Sequence, residues 1–510
     1  MKKSMQKSFL GLSRILLFLS IVSAFWFCEQ KDQPAEETDL VETETPYINI
    51  SATVPQDIAR TSNAEDIAKF AWEELLAMSW KSTYGEPGTP TQRGVGDSNW
   101  SYANAGAYPD LVVWETYAHR TELRPYYGKL APFDTVPHYS FGDTTDIKPA
   151  PGENPSFELF NNLDENNEIG SCDIYAYKDR EQMVLYQAKV NRDEYDYFKN
   201  NLQDTTVLKA AINNTFNNLI KYKAYYEGAT SSCNCPPDSN VICLPCGGAT
   251  IPGGSGTYEG AIEIKTAWRK LDPTKDDTTR FFRRNVLYYT QGSGNTIYYH
   301  NGVFGLVGMH IIHKTQSFPD FIFASWEQVD DRSADMNYVL LNGEKEIGGM
   351  KPVLPDQHVV PAYLDSVTQK VWDQLTGINK ESIWQYYRLI GVQSIPYNSL
   401  AEDPTKNYYM ANFVIESDSF LSVFSGPGFG KDSFNGNNVI YDQELFNMGG
   451  CKGCHGVAQT SFGTDFSFLL DLGNGKPTAK PDVLKAAAPA DAAMLEAQKK
   501  YLLGTNIELK

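Results

Sequence analysis

The residues whose types and spacing can do chemistry lie near the end of the chain, in Leu445-Phe446-Asn447-Met448-Gly449-Gly450-Cys451-Lys452-Gly453-Cys454-His455-Gly456. Cys451-x-x-Cys454-His455 is the covalent haem c attachment signature. Two thiols one helical turn apart can add across the two vinyl groups on one edge of a macrocycle. The next residue, His455, then brings its imidazole under the iron as proximal ligand, so the expected metal ligand is His455 and the expected cofactor is one covalently attached haem c. A CxxC pair alone also suits a redox dithiol or half a zinc site. The flanks favour haem: a short helix carrying Leu445-Phe446 is expected before the first cysteine, and Gly456 follows the histidine.

An iron held by His455 has a sixth position, and its occupant decides the function class. Met494 is the sole methionine downstream of the motif, inside Ala492-Ala493-Met494-Leu495-Glu496-Ala497, which reads as helix interior, where a methionine packs in a core. His310 is the other candidate, with His313 close behind it in Gly305-Leu306-Val307-Gly308-Met309-His310-Ile311-Ile312-His313. The Val, Ile and Gly content makes that run a strand, which points the two imidazoles to opposite faces, so only one of them can face a haem. Trp326, Glu327 and Asp330 nearby are candidates for an acid/base group at the haem edge, against the plain reading of a core Trp and solvated acids.

These residues need a body to position them, and the 510-residue chain has one to offer. Apolar residues make up 42% and charged residues 21%, an ordinary globular balance. The net charge of −19 argues against nucleic acid as a partner, because phosphate binding needs surplus basic surface. A helix is expected over Ala64 to Met78, with Ser62 or Asn63 as cap. Strands are expected at Leu111–Trp114, Asp173–Tyr177, Met183–Val190, Ala261–Trp268, Asn285–Tyr289 and Gly305–His313, and helices over Asp193 to about Tyr225 and Leu364–Leu375. The order is mixed rather than alternating, so the expected fold class is α+β, with a small, mostly helical C-terminal haem c segment.

The chain opens with an export signal. Lys2, Lys3, Lys7 and Arg14 precede the 13-residue apolar run Ile15–Phe27, a length suited to a signal peptide and short for a membrane span. Cys28 follows directly and is a candidate lipidation site, which would give membrane contact through a lipid anchor rather than a span. The bulky Phe25-Trp26-Phe27 is unusual before a lipidated cysteine, and cleavage after Ala24 would release a soluble periplasmic protein. The expected organisation is a signal peptide over 1–28, an acidic linker over 29–60, an α+β body over 61–430 and a cytochrome c-like segment over 431–510. Outside the cytoplasm disulfides persist, so Cys233, Cys235, Cys243 and Cys246 read as two staples across a surface loop, with a four-thiolate zinc site as the alternative. Cys172 reads as a buried thiol.

The Leu445–Gly456 segment resembles the haem-binding helix of c-type cytochromes. Glu263-Ile264-Lys265-Thr266-Ala267-Trp268-Arg269, the Gly305–Thr315 run and Phe323-Ala324-Ser325-Trp326-Glu327-Gln328-Val329-Asp330 are similar to segments of a little-characterised group of exported bacterial single-haem proteins, labelled cytochrome c family proteins. The resemblance spans roughly residues 64 to 475. It implies haem binding and electron transfer to a redox partner protein or a membrane electron-transfer chain, and it supplies no substrate. Three functions follow as alternatives. The first is an electron carrier with two strong axial ligands. The second is a haem enzyme, peroxidase- or oxidase-like, with an open sixth site and His310 or Glu327 moving protons. The third is a binding module in which the haem is a relay.

Overall fold

The computed structural model describes residues 45–485, less 86–91, 105, 127, 143–145, 167–172, 177–181, 223–232, 234–239, 333–337, 343–344, 347–359, 396–411, 413, 416–436, 442–443, 449 and 471–475. Cys28, Cys172, Cys235 and Met494 lie outside the described residues. Residues Pro46–Lys510 form one compact unit. The fold is α+β, built on a nine-stranded mixed sheet.

Helix α1 (Ala64–Met78) starts where the Asn63 side chain accepts from the Asp66 amide, and Glu65 and Asp66 occupy its positive first turn. It buries Ile67, Phe70, Trp72, Leu75 and Met78. Order begins earlier than the linker reading placed it. Ile48 and Val54 are buried, Ile48 exchanges backbone hydrogen bonds with the Gln374 amide, and the Tyr47 hydroxyl donates to Glu65 at 2.8 Å. Two apolar side chains in an acidic segment are enough to fasten it to the body.

The main strands are β1 (Leu185–Val190), β2 (Ile262–Lys270), β3 (Arg283–Gln291), β4 (Thr296–His313), β5 (Ile322–Gln328) and β6 (Tyr387–Gln393). Strand β4 is the spine. One edge of its C-terminal half pairs antiparallel with β2, and β3 and then β5 follow each other along the other edge. Strands β1 and β6 extend the sheet beyond β2 and β5. The C-terminal half of β4 is buried on both faces, which is why it reads as a nearly unbroken apolar run. Helices α2 (Arg192–Asn201) and α3 (Thr205–Tyr222) follow β1, and α4 (Ala362–Ile378) packs on α1 and β6. Trp72, Trp114, Trp268, Trp326 and Trp384 are all fully buried, so these aromatics fill the core.

Two local expectations are corrected. Val113 and Trp114 lead into a 3-10 turn over Trp114–Thr116 rather than a strand, with the Val112 amide held by the Glu115 carboxylate at 2.9 Å. The segment before the cysteines is not a helix. Strand β7 (Asn437–Tyr441) pairs antiparallel with β8 (Glu444–Met448), placing Val439 opposite Phe446. The β-branched and aromatic run Val439-Ile440-Tyr441 gives Leu445-Phe446 a partner, and strand pairing prevails over local helix propensity.

Candidate haem site

Helix α5 (Gly450–Val457) carries the motif and seats Cys451 and Cys454 as buried thiols. Gly450 starts it at φ +74°, in the left-handed region that favours glycine. Its first turn is held by β6, since the Lys452 amide donates to Gln393 Oε1 at 2.7 Å. Gly456 lies so close to β7 that a Cβ there would sit 2.5 Å from Val439 Cγ2 and 2.6 Å from the Asn438 carbonyl oxygen. Gln459 completes the seam, accepting from the Ile440 amide at 2.8 Å and donating to its carbonyl at 2.9 Å.

Lys452, inside the motif, is fully buried. Its ammonium donates to the Asp320 carbonyl at 2.6 Å, Asp320 Oδ2 at 3.1 Å and the Phe321 carbonyl at 3.3 Å, and lies 5.1 Å from the centre of the Phe323 ring. Burial lowers its basicity and Asp320 opposes that shift. Nothing in the spacing of the motif announces this contact.

After α5 the chain makes a π-helical turn over Ala458–Phe462, then doubles back through Gly463, Asp465 and Phe466, all with positive φ. The reversal brings the Phe466 carbonyl to His455, whose Nδ1–H donates to it at 2.7 Å. With Nδ1 so engaged, Nε2 is the nitrogen left to bind a metal. His455 as a residue is part-exposed, yet its ring is enclosed by Phe323 at 5.1 Å, Phe468 at 5.0 Å and His310 at 5.7 Å between ring centres. The enclosure governs its basicity, because the charge would sit on the ring: burial pushes it down to about 4, against the pull of the Phe466 carbonyl.

His310 projects from β4 toward that ring. It is buried, and its Nδ1 has no hydrogen-bond partner. The Ala324 backbone lies within reach of the ring and pulls its basicity up. Burial, then His455, then Lys265 hold His310 well below the usual histidine range, so it is a neutral imidazole. His313 points the other way, as the strand period requires. Its Nδ1 lies 2.8 Å from Glu74 Oε1 and its Nε2 meets the Glu259 carbonyl at 2.8 Å. Trp326 packs edge-on against Trp72, and Asp330 is paired with Arg280 at 2.7 Å. Of that trio only Glu327 shares a strand face with Phe323.

Cys451, Cys454 and His455 are the residues that would hold a haem, with His310 nearest the histidine. Among the described residues no three His, Cys, Asp or Glu side chains gather to hold a metal. A haem needs only axial ligands from the protein, because the macrocycle fills the plane. Imidazole–metal bonds of about 2 Å on each side put opposed ring centres roughly 6 Å apart, against the 5.7 Å between His310 and His455. Of the loop cysteines, Cys233 bonds to Cys246, and Cys243 is also disulfide-bonded, which removes thiolates that a zinc site would need. An open pocket edged by Asn49, Gln56, Asp57, Glu73 and Gly248 contains none of these residues.

Sequence reasoning missed Phe466, Asp465, Lys314, Asp320 and Gln393. They act through turns and carbonyls distant in sequence, and no side-chain pattern signals them. No family model, curated protein or solved structure matches this chain.

Proposed function

We propose that this protein is an exported electron carrier with one haem c bound through Cys451 and Cys454, ligated by His455 and, on the opposite face, by His310. The observation that carries the reading is the pair of enclosed imidazoles: His455, with Nδ1 tied to a carbonyl, and His310, neutral with an unsatisfied nitrogen, 5.7 Å apart. Bound there, haem supplies a one-electron iron couple. The chain's own residues do the rest. The thiols tether, the Phe466 carbonyl orients the imidazole of His455, and Phe323 and Phe468 keep water off it. Two imidazole ligands leave no position for a substrate, which favours a carrier over an enzyme. An export leader and a lipidated Cys28 would hold such a carrier at the cell envelope, and the net charge of −19 suits docking to a basic redox partner.

The test is the visible spectrum of the chain matured with a haem c attachment system, oxidised and reduced, with carbon monoxide or cyanide added. A low-spin spectrum unmoved by either is expected. Absence of covalent haem overturns the reading. A high-spin spectrum that responds to both ligands transfers the assignment to an enzyme with an open iron.

A further inference from the structure

Among the described residues only three that are not glycine have positive φ: Phe321 at +64°, Asp465 at +54° and Phe466 at +69°. For an aromatic residue this backbone conformation is a true outlier, costing about 1–2 kcal/mol. Two of the three touch α5 directly. Phe321 offers its carbonyl to Lys452, and Phe466 offers its carbonyl to His455. Such backbone persists only where the surroundings over-determine it.

The agent at Asp465 is a buried ion pair. Lys314 Nζ donates to Asp465 Oδ2, with the two side chains 5% and 0% exposed. The same oxygen accepts from the Leu244 amide at 3.3 Å. Lys314 is itself fixed, its amide donating to the Ala261 carbonyl and its carbonyl accepting from the Gly247 amide, both at 2.9 Å. Lys314 stands four residues after His310, just past the end of β4. Thr464 anchors the other side of the turn, its hydroxyl meeting the Ser467 carbonyl at 2.6 Å.

We propose that Lys314 and Asp465 are positioning residues that set the donor strength of His455, by holding the Asp465-Phe466 turn left-handed so that the Phe466 carbonyl stays on Nδ1–H. The inference rests on His455 being the proximal ligand. A firm Nδ1–H···O=C bond makes an imidazole a stronger donor. A stronger donor favours the oxidised iron and lowers the reduction potential. One strand would then govern both sides of the iron, through His310 directly and through Lys314 by way of the turn.

The experiment compares two variants of the haem-loaded full chain, K314M/D465A and K314M/D465G. Each deletes one positive and one negative charge, so net charge is constant. Alanine leaves the turn strained and unclamped, whereas glycine adopts positive φ without cost. Outer partners of a metal ligand are typically worth tenfold or more. The alanine variant is expected to shift the reduction equilibrium about tenfold, a rise of about 60 mV for one electron, with faster exchange of the His455 Nδ1 proton by NMR. The glycine variant is expected to stay near wild type in both. An alanine variant that carries haem at the wild-type potential overturns the proposal. If the alanine variant does not load, the glycine variant decides. Loading at the wild-type potential supports the clamp, and failure to load, or a potential as displaced as the tenfold shift, assigns the pair to folding alone and overturns it. A wild-type chain that binds no haem refutes the proposed function instead.

Discussion

Asp320→Ala should be far more damaging than Lys452→Met, although the two residues form one pair. In the first variant the Lys452 ammonium, fully buried, keeps the Asp320 and Phe321 carbonyls and loses the Asp320 carboxylate. Breaking a buried pair by removing one partner costs about 3–5 kcal/mol, because the remaining charge is uncompensated. In the second variant Asp320 keeps a positive neighbour, Arg60, at 3.8 Å. The loss is then one charge-assisted interaction and two carbonyl hydrogen bonds, partly offset by the apolar methionine filling the space beside Phe323 and Phe466. That comes to about 1–3 kcal/mol. With both changed, no lone ammonium remains, so the double variant should match Lys452→Met to within about 1 kcal/mol and show a coupling of about 3–5 kcal/mol. The assay is urea unfolding of the haem-free chain for all four members of the cycle. Equal, additive losses from the two single changes would refute the claim that Lys452 is charged and dependent on Asp320.

Three further outcomes follow. His310→Ala in haem-loaded protein should convert a low-spin spectrum that ignores carbon monoxide into one that binds it, while haem stays covalently attached; an unchanged spectrum excludes His310 as ligand. Gly456→Ala forces a Cβ to within 2.5 Å of Val439 Cγ2 and 2.6 Å of the Asn438 carbonyl; one face is backbone, so a loss of about 1–3 kcal/mol is expected in the same unfolding assay. Lys189, buried, is held down to about 7 first by burial and then by Arg93, with Glu115 and Glu122 opposing. Between that value and about 10.4 the unfolded chain binds one more proton than the folded one. Wild-type stability should therefore rise with pH across that window and be indifferent to Lys189 below it, and Lys189→Met should remove the rise.

The parts legible in the sequence were those set by local period and fixed spacing. The apolar runs at Ala261–Trp268 and Gly305–His313 could be read as strands because both faces are buried there, and the period of two set His310 and His313 on opposite faces. Leu445-Phe446 was misread because its conformation is decided by pairing with Val439-Ile440. Leu111–Trp114 has strand composition, yet the buried Glu115 carboxylate captures the Val112 amide and the Arg284 guanidinium and bends the chain into a 3-10 turn. Polar contacts of this sort depend on which distant residues share the interior. Composition and spacing carry no information about that.

On the proposed carrier reading the body is far larger than electron transfer needs, and the ownership of the site gives its size a physical account. The C-terminal segment contributes His455, the two thiols and Phe468. What faces those residues comes from one short stretch of the body: His310, Lys314, Asp320, Phe321 and Phe323 lie within β4, β5 and the connection between them. Each is fixed by the sheet. His310 stands opposite Lys265 on β2 and Ser325 on β5, so β4 is paired along both edges at that point. If His310 is a ligand, its place on a central strand keeps it from swinging away as a loop residue can, and the cost of reorganising it on electron transfer would be small. A self-contained cytochrome segment would have to grow its own second wall. On the proposed reading the sheet supplies it, and its rigidity is what so much chain contributes to one motif.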